Sequence, residues 1–202
     1  MLPLQKLNRR YKEIIMRLKL LDSKEISKLY QEHMIIDFPK DELKPLNMIL
    51  KAVEDGFYDS FGLFDEDTMV GYTFMVKLDN NYLIDYIAIF PEFRNKGIGA
   101  NLLTIIDEQL ETANRIFGEV EDPAYTEDEA QKSLQTRRLN FYVRNSCKDT
   151  GLRVNCFGVK YIILEAGKTH FKDKDEVWNL YERFYKSFLP EDKFNKNIRR
   201  LN

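Results

Sequence analysis

The sequence predicts a mixed α+β domain built on a central, mostly antiparallel sheet, and three observations predict it. Two strand-like runs, Tyr58 to Phe64 and Met69 to Lys77, are joined by an acidic turn at Asp65 and Asp67. They are followed through Asp79-Asn80-Asn81 by a third run, Tyr82 to Phe90, which is the order of an antiparallel meander. A helical pattern then separates that third strand from Arg115 to Glu121, so these two can lie parallel. A further helix and two last strands complete the set.

Taken in order, residues 1 to 13 are basic and amphipathic, readable as a short helix or an unfixed tail. Ile15 to Leu20 alternates and reads as the first strand. Asp22 and Glu25 form an aspartate version of a capping box ahead of Ile26, Leu29 and Tyr30, which predicts a helix from about Ser23 to His33. Pro39 and Pro45 interrupt the chain. Leu46 to Glu54 then resumes a helical pattern that Gly56 terminates. Leu102, Leu103, Ile105, Ile106 and Leu110 mark a helix from about Gly97 to Thr112, and Asp122-Pro123 ends the strand after it. A helix must then include Leu134, Leu139, Phe141 and Tyr142. The last strands are Leu152 to Val159, with Gly158 as a bulge or bend, and Tyr161 to Leu164. Beyond Gly167, Val177, Tyr181, Phe184 and Phe188, flanked by Trp178 and Tyr185, make an apolar helical stripe. It suits a helix packed on the core with a solvated basic end at Lys193 to Arg200, or else a dimer contact or a lid over the acceptor site.

Composition bounds the function. The chain has 202 residues, enough for one domain with a substantial core. Its 31 Lys+Arg stand against 33 Asp+Glu, which leaves no overall field to attract nucleic acid. No apolar run is long enough to span a bilayer, and MLPLQKLNRRYKEII lacks the apolar centre of a signal peptide, so the expected location is the cytoplasm. Cys147 and Cys156 read as reduced, buried small hydrophobes, and the widely separated His33 and His170 suggest no metal site.

The stretch Tyr82 to Leu103 concentrates the chemistry. Its strand is apolar on both alternating faces except at Asp85, as befits a strand covered on both sides, and Pro91 stops it. Gly97 and Gly99 then precede a helix, whose free N–H groups and positive dipole end favour an anion, while the glycines permit close backbone approach. The same glycines would serve a plain strand-to-helix corner, or begin a dinucleotide fingerprint, although position 102 is Leu and no strand-helix repeat follows. A P-loop is excluded, because no Gly-Lys-Ser/Thr follows.

Arg94-x-x-Gly97-x-Gly99-Ala100, placed after Ile87-Ala88-Ile89-Phe90-Pro91, resembles the acetyl-CoA signature of the GNAT N-acetyltransferase superfamily, and the element order agrees over roughly residues 14 to 165. EVEDP and RRLNFY further resemble a bacterial subgroup of small members. The resemblance implies a twisted sheet with a splayed parallel strand pair and helices on both faces. It places an acetyltransferase domain in residues 1–165 and a helical extension in 166–202. It also implies acetyl-CoA as cosubstrate, without a metal. Backbone groups at Ile87 and Ile89 would pair with the pantetheine arm, with the Ile89 N–H serving the oxyanion. Arg94 and the amides of Asn95, Lys96, Gly97, Ile98, Gly99 and Ala100 would cradle the pyrophosphate.

Acetyl transfer from a thioester to an amine needs a neutral amine, a stabilised oxyanion and a proton for the departing thiolate. By resemblance the acid is Tyr142, whose phenol suits a donor at neutral pH. For the base or amine-binding acid, Asp85 ranks first, as a charge in an apolar strand, and Glu119 second. Glu121 shares the alternating strand face of Glu119. Two departures from the family pattern stand out. Gln135 replaces an asparagine seven residues before the tyrosine, and Ser146-Cys147 replaces a Gly-Phe helix end, so that Asn145 is expected to take the left-handed position. The expected activity is acetyl transfer to a primary amine of a small molecule, or a peptide amine, by a monomer or homodimer. The alternative is a non-catalytic module of the same fold that binds CoA or a metabolite.

Overall fold

The structure, a computed structural model, describes residues 16–40, 42–167 and 173–202. The expectations for residues 1 to 13, for Ile15 and for His170 lie outside these. Eight strands form one sheet in the order β1-β2-β3-β4-β5-β7-β6-β8. They are β1 (Met16–Leu20), β2 (Tyr58–Asp65), β3 (Thr68–Leu78), β4 (Asn81–Ile89), β5 (Arg115–Glu121), β6 (Lys148–Cys156), β7 (Val159–Ala166) and β8 (Ile198–Arg200). Every neighbouring pair is antiparallel except β4 and β5, which are parallel.

Helices cover both faces. On one lie α1 (Ser23–Leu29), α3 (Leu46–Glu54) and α6 (Lys174–Lys186), whose Ile26, Ile49, Val177 and Phe184 pack with Tyr72, Phe74, Leu83 and Phe117 of the sheet. On the other, α4 (Ile98–Gln109) buries Ile98, Leu102 and Ile106 against Phe61, Val70 and Met75, and α5 (Glu129–Arg144) packs beside it over Val120, Ile162 and Leu164.

Local chemistry explains the elements. The Asp22 carboxylate accepts from the amides of Lys24 and Glu25, and the Glu25 carboxylate accepts in return from the Asp22 amide, completing the capping box. α1 does not run on regularly to His33. It loosens into a π-helical turn, Tyr30–Met34, and then a short α2 (Ile35–Asp37), before Phe38 becomes extended ahead of Pro39.

Three expectations are corrected. Gly158 is not a bulge within a strand: with Phe157 it forms the tight turn between β6 and β7, at φ 93° and 49°, and the Asn155 side chain accepts from its amide. The irregularity in β6 instead falls between Asp149 and Arg153, around Gly151 at φ 78°. At the end of α5 the left-handed residue is Ser146 (φ 68°), not Asn145. The strain is offset because Asn145 uses its side chain to bond the Phe141 carbonyl while the Cys147 amide returns to the Tyr142 carbonyl. Finally, the basic end is not a solvated tail: after α7 (Glu191–Asn197), β8 pairs with β6 and buries Ile198. A three-residue strand is too short to show a period of two.

Candidate active site

The parallel pair is short. β4 and β5 are in register only from Asn81↔Arg115 to Ile84↔Gly118, so beyond Ile84 and Gly118 the two strands part and leave a wedge between them. The cause lies partly on the other side of β4. Its register with β3 slips between Phe74↔Tyr86 and Met75↔Ile84, which makes Asp85 the extra residue of a β-bulge and bends the strand there. The bulge also puts Asp85 and Tyr86 on the same face. Past it, the Phe90 amide donates to the Val70 carbonyl of β3 at 3.0 Å, so Phe90 and Ala88 face β3, while Ile87 and Ile89 direct their N–H and C=O groups into the wedge. The Ile89 carbonyl is met there by Arg94 Nε at 2.7 Å.

The loop after β4 is held from within. Arg94 also donates to Asp37 Oδ1 at 3.0 Å, and the other oxygen of that buried carboxylate accepts from Tyr72 at 2.9 Å. The Arg94 side chain thus ties the loop to α2 rather than reaching outward. Lys96 Nζ turns back to the Glu92 carbonyl at 2.8 Å. Asn95 (φ 61°) and Gly97 (φ 79°) are left-handed, and a Cβ on Gly97 would meet nothing within 4 Å, which leaves open space in front of the loop. At Gly99 a Cβ would come within 3.1 Å of the Phe141 ring, so this glycine lets α5 approach the start of α4. No side chain caps α4. Ile98 points its side chain into the core, and the Ala100 amide closes on the Gly97 carbonyl at 3.1 Å.

The polar groups of the wedge come from both walls and from elements that cover it. The Asp85 carboxylate receives Lys44 Nζ at 2.7 and 2.8 Å and the Tyr58 hydroxyl. Burial disfavours the Lys44 charge, yet the Asp85 carboxylate outweighs it and keeps the ammonium charged well above the ordinary lysine range. The loop carrying Lys44 is pinned from below: Tyr86 OH accepts from the Lys44 amide and donates to the Glu42 carbonyl, and Tyr30 OH donates to the Lys44 carbonyl. Across the wedge, Glu119 is the first β5 residue beyond the paired segment. Its carboxylate accepts from Tyr181, and from Tyr185 at 2.9 and 3.1 Å. Burial pushes its pKa up, the two phenols pull it down, and the Asp85 charge raises it again, leaving it at about 7.

Tyr142 lies on the opposite side of the sheet among Leu103, Val120 and Ile162, its ring 5.3 Å edge-on from Phe141. Its phenol has no hydrogen-bond partner among the described residues, and burial pushes its pKa up to about 12. Glu121 does not join the wedge cluster, because it is bound to α5 through Arg138 and Gln135, whose side-chain oxygen accepts from Thr126 at 2.6 Å. The amide at position 135 therefore serves the junction between α5 and β5. His33 stacks on Phe90, 3.9 Å between ring centroids.

A model of the acetyltransferase (GNAT) family matches residues 23–127, more than half of the chain. The chain belongs to the GNAT acetyltransferase family. As a GNAT protein it is an acyltransferase, and the family's acyl donor is acetyl-CoA. Solved structures agree in fold. A GNAT-family protein from Bacteroides thetaiotaomicron superimposes with a TM-score of 0.68 at 22% identity, over 85% of this chain and 98% of that one. A variant of the spermidine N-acetyltransferase from Vibrio cholerae gives 0.55 at 13% identity, over 74% and 92%. The PaiA N-acetyltransferase of Thermoplasma acidophilum, solved with coenzyme A, gives 0.50 at 17% identity, over 75% and 98%. No curated protein sequence matches the chain significantly.

Within this GNAT fold the anticipated Asp85 and Glu119 face one cluster, Ile87 and Ile89 line the same wedge, and Tyr142 stands on the α5 side. Lys44, Tyr58, Asp37, Tyr181 and Tyr185 were not anticipated. The two α6 tyrosines sit four residues apart, a spacing that brings both phenols over one spot, and reading the stripe only as apolar hid this. Lys44 carries no sequence signal of its own.

Proposed function

We propose that this chain transfers the acetyl group of acetyl-CoA to a primary amine of a small molecule, by direct attack within a ternary complex. The carrying observation is the wedge between β4 and β5, with the backbone groups of Ile87 and the N–H of Ile89 directed into it from one wall and the Glu119 carboxylate on the other. The pantetheine arm lies along Ile87 and Ile89. The pyrophosphate rests on the amides from Asn95 to Gly99, where Gly97 leaves room, while the Ala100 amide is already bonded to the Gly97 carbonyl and Arg94 holds that loop in shape.

The amine nitrogen attacks the thioester carbonyl carbon and the carbon–sulfur bond breaks. The amine proton passes to the Glu119 carboxylate, the oxyanion is met by the Ile89 N–H, and the departing sulfur takes a proton from the Tyr142 phenol. A carboxylate titrating near neutrality suits this base role, which places Glu119 ahead of Asp85. Asp85, paired with Lys44, sets the charge of the acceptor end. That pairing supports a monoamine over a polycation such as spermidine, because one of the two wedge carboxylates is already neutralised. The test is thiol release from acetyl-CoA across a panel of primary monoamines, spermidine and a short peptide, with Glu119→Gln and Tyr142→Phe alongside. Turnover that both variants retain in full would overturn these roles.

A further inference from the structure

The carboxylate assigned as base is held by residues from outside the matched family segment. Tyr181 and Tyr185 are both buried, both lie on α6, and both donate to Glu119, with Tyr185 reaching both carboxylate oxygens. Their rings lie 4.9 Å apart, and Trp178 stacks on Tyr181 at 6.0 Å without touching Glu119 through a polar atom. The helix is seated by Val177, Leu180 and Phe184 in the sheet core, so the phenols cannot swing away without unpacking it. The core could have buried phenylalanine here. Two hydroxyls converging on one acid need a reason beyond packing, since each buried hydroxyl must be satisfied and each is satisfied by this carboxylate.

We infer that Tyr181 and Tyr185 are positioning residues for Glu119: α6 completes the active site by holding that carboxylate in place, turned toward the wedge, through two converging hydroxyls. The inference rests on the reading of Glu119 as the base. Hydrogen bonds from neutral donors to an anion favour the anion, so the phenols oppose the desolvation that would protonate the acid. The other groups facing Glu119 are Asp85 from β4, Lys44 from the loop before α3, Cys156 from β6 and Tyr161 from β7. Asp85 raises and Lys44 lowers its proton affinity. All four lie off α6, although the Cys156 thiol borders the Tyr181 and Tyr185 hydroxyls.

The test is a ¹³C carboxyl NMR titration of glutamate-labelled full-length protein, with Glu119→Gln identifying the resonance. Tyr181→Phe and Tyr185→Phe keep the rings and remove the hydroxyls, and each should shift the Glu119 midpoint upward by about one pH unit. Trp178→Phe should leave it in place. In thiol release from acetyl-CoA with the best amine of the panel, the acid limb of the pH–rate profile should move the same way, with the rate recovering at high pH. An unmoved midpoint in either folded tyrosine variant, or an equal shift in Trp178→Phe, overturns the inference whatever the rates do. Tyr185→Phe alone decides the matter if the fully buried Tyr181 tolerates no change. Full activity in Glu119→Gln would instead overturn the base reading, whether or not the midpoint moves.

Discussion

Lys44 Nζ sits 2.7 and 2.8 Å from the two carboxylate oxygens of Asp85, joining the loop before α3 to the bulged residue of β4. The pair is mostly buried, with Asp85 8% and Lys44 22% exposed, and the ammonium also lies 5.4 and 5.5 Å from the rings of Tyr86 and Phe188. Asp85 therefore has its partner.

Breaking the pair from one side should cost more than removing it. Asp85→Asn or Lys44→Met alone leaves a charge in a poor solvent and should destabilise by about 2–4 kcal/mol, discounting the upper figure for the access Lys44 retains. The double variant should recover much of that loss. Urea unfolding of the four proteins measures the coupling, and strictly additive losses would show that the pair is not a unit.

Gly97 and Gly56 offer a matched comparison, since both are left-handed (φ 79° and 80°) with nothing within 4 Å of a built Cβ. Valine at either should cost about 1–2 kcal/mol in backbone strain. Only Gly97→Val should also weaken acetyl-CoA binding, by tenfold or more, because only that open space faces the pyrophosphate in the proposed binding mode. Calorimetric titration of both variants decides it, and equal affinities would remove the loop from the donor site.

Tyr142→Phe removes a hydroxyl that bonds nothing among the described residues, so its thermal midpoint should stay within about 2 °C of the parent. Its kcat should fall by about 10²-fold if the phenol protonates the leaving thiolate. Loss of stability together with an unchanged rate would assign the tyrosine to packing instead.

Glu119 titrates at about 7 in the fold against an ordinary 4.5, so the folded protein binds this proton more tightly than the unfolded chain does. Its contribution to stability is full below about pH 4.5, declines as pH rises toward 7, and is level above. Because the side chain is only partly screened from water, the total is on the order of 2 kcal/mol. Activity should run the other way, rising through the same midpoint as the base loses its proton. Unfolding free energies of the parent and Glu119→Gln from pH 4 to 8 should therefore converge at low pH and diverge above, the glutamine variant lacking the decline. Parallel curves would contradict the assignment.

The sequence by itself determined the meander, the crossover that makes β4 and β5 parallel, the glycine loop and the capped α1. All of these follow from periodicity, turn chemistry and caps within a few residues of one another. It also singled out Asp85 and Glu119, because charges in apolar strands are legible without any partner. Only the tertiary structure decided which carboxylate is neutralised and which remains near neutrality. Lys44 lies 41 residues from Asp85, and Tyr181 and Tyr185 lie 62 and 66 residues from Glu119. Proton affinity is set by what surrounds a group in space, and that depends on how the helices and loops close over the wedge.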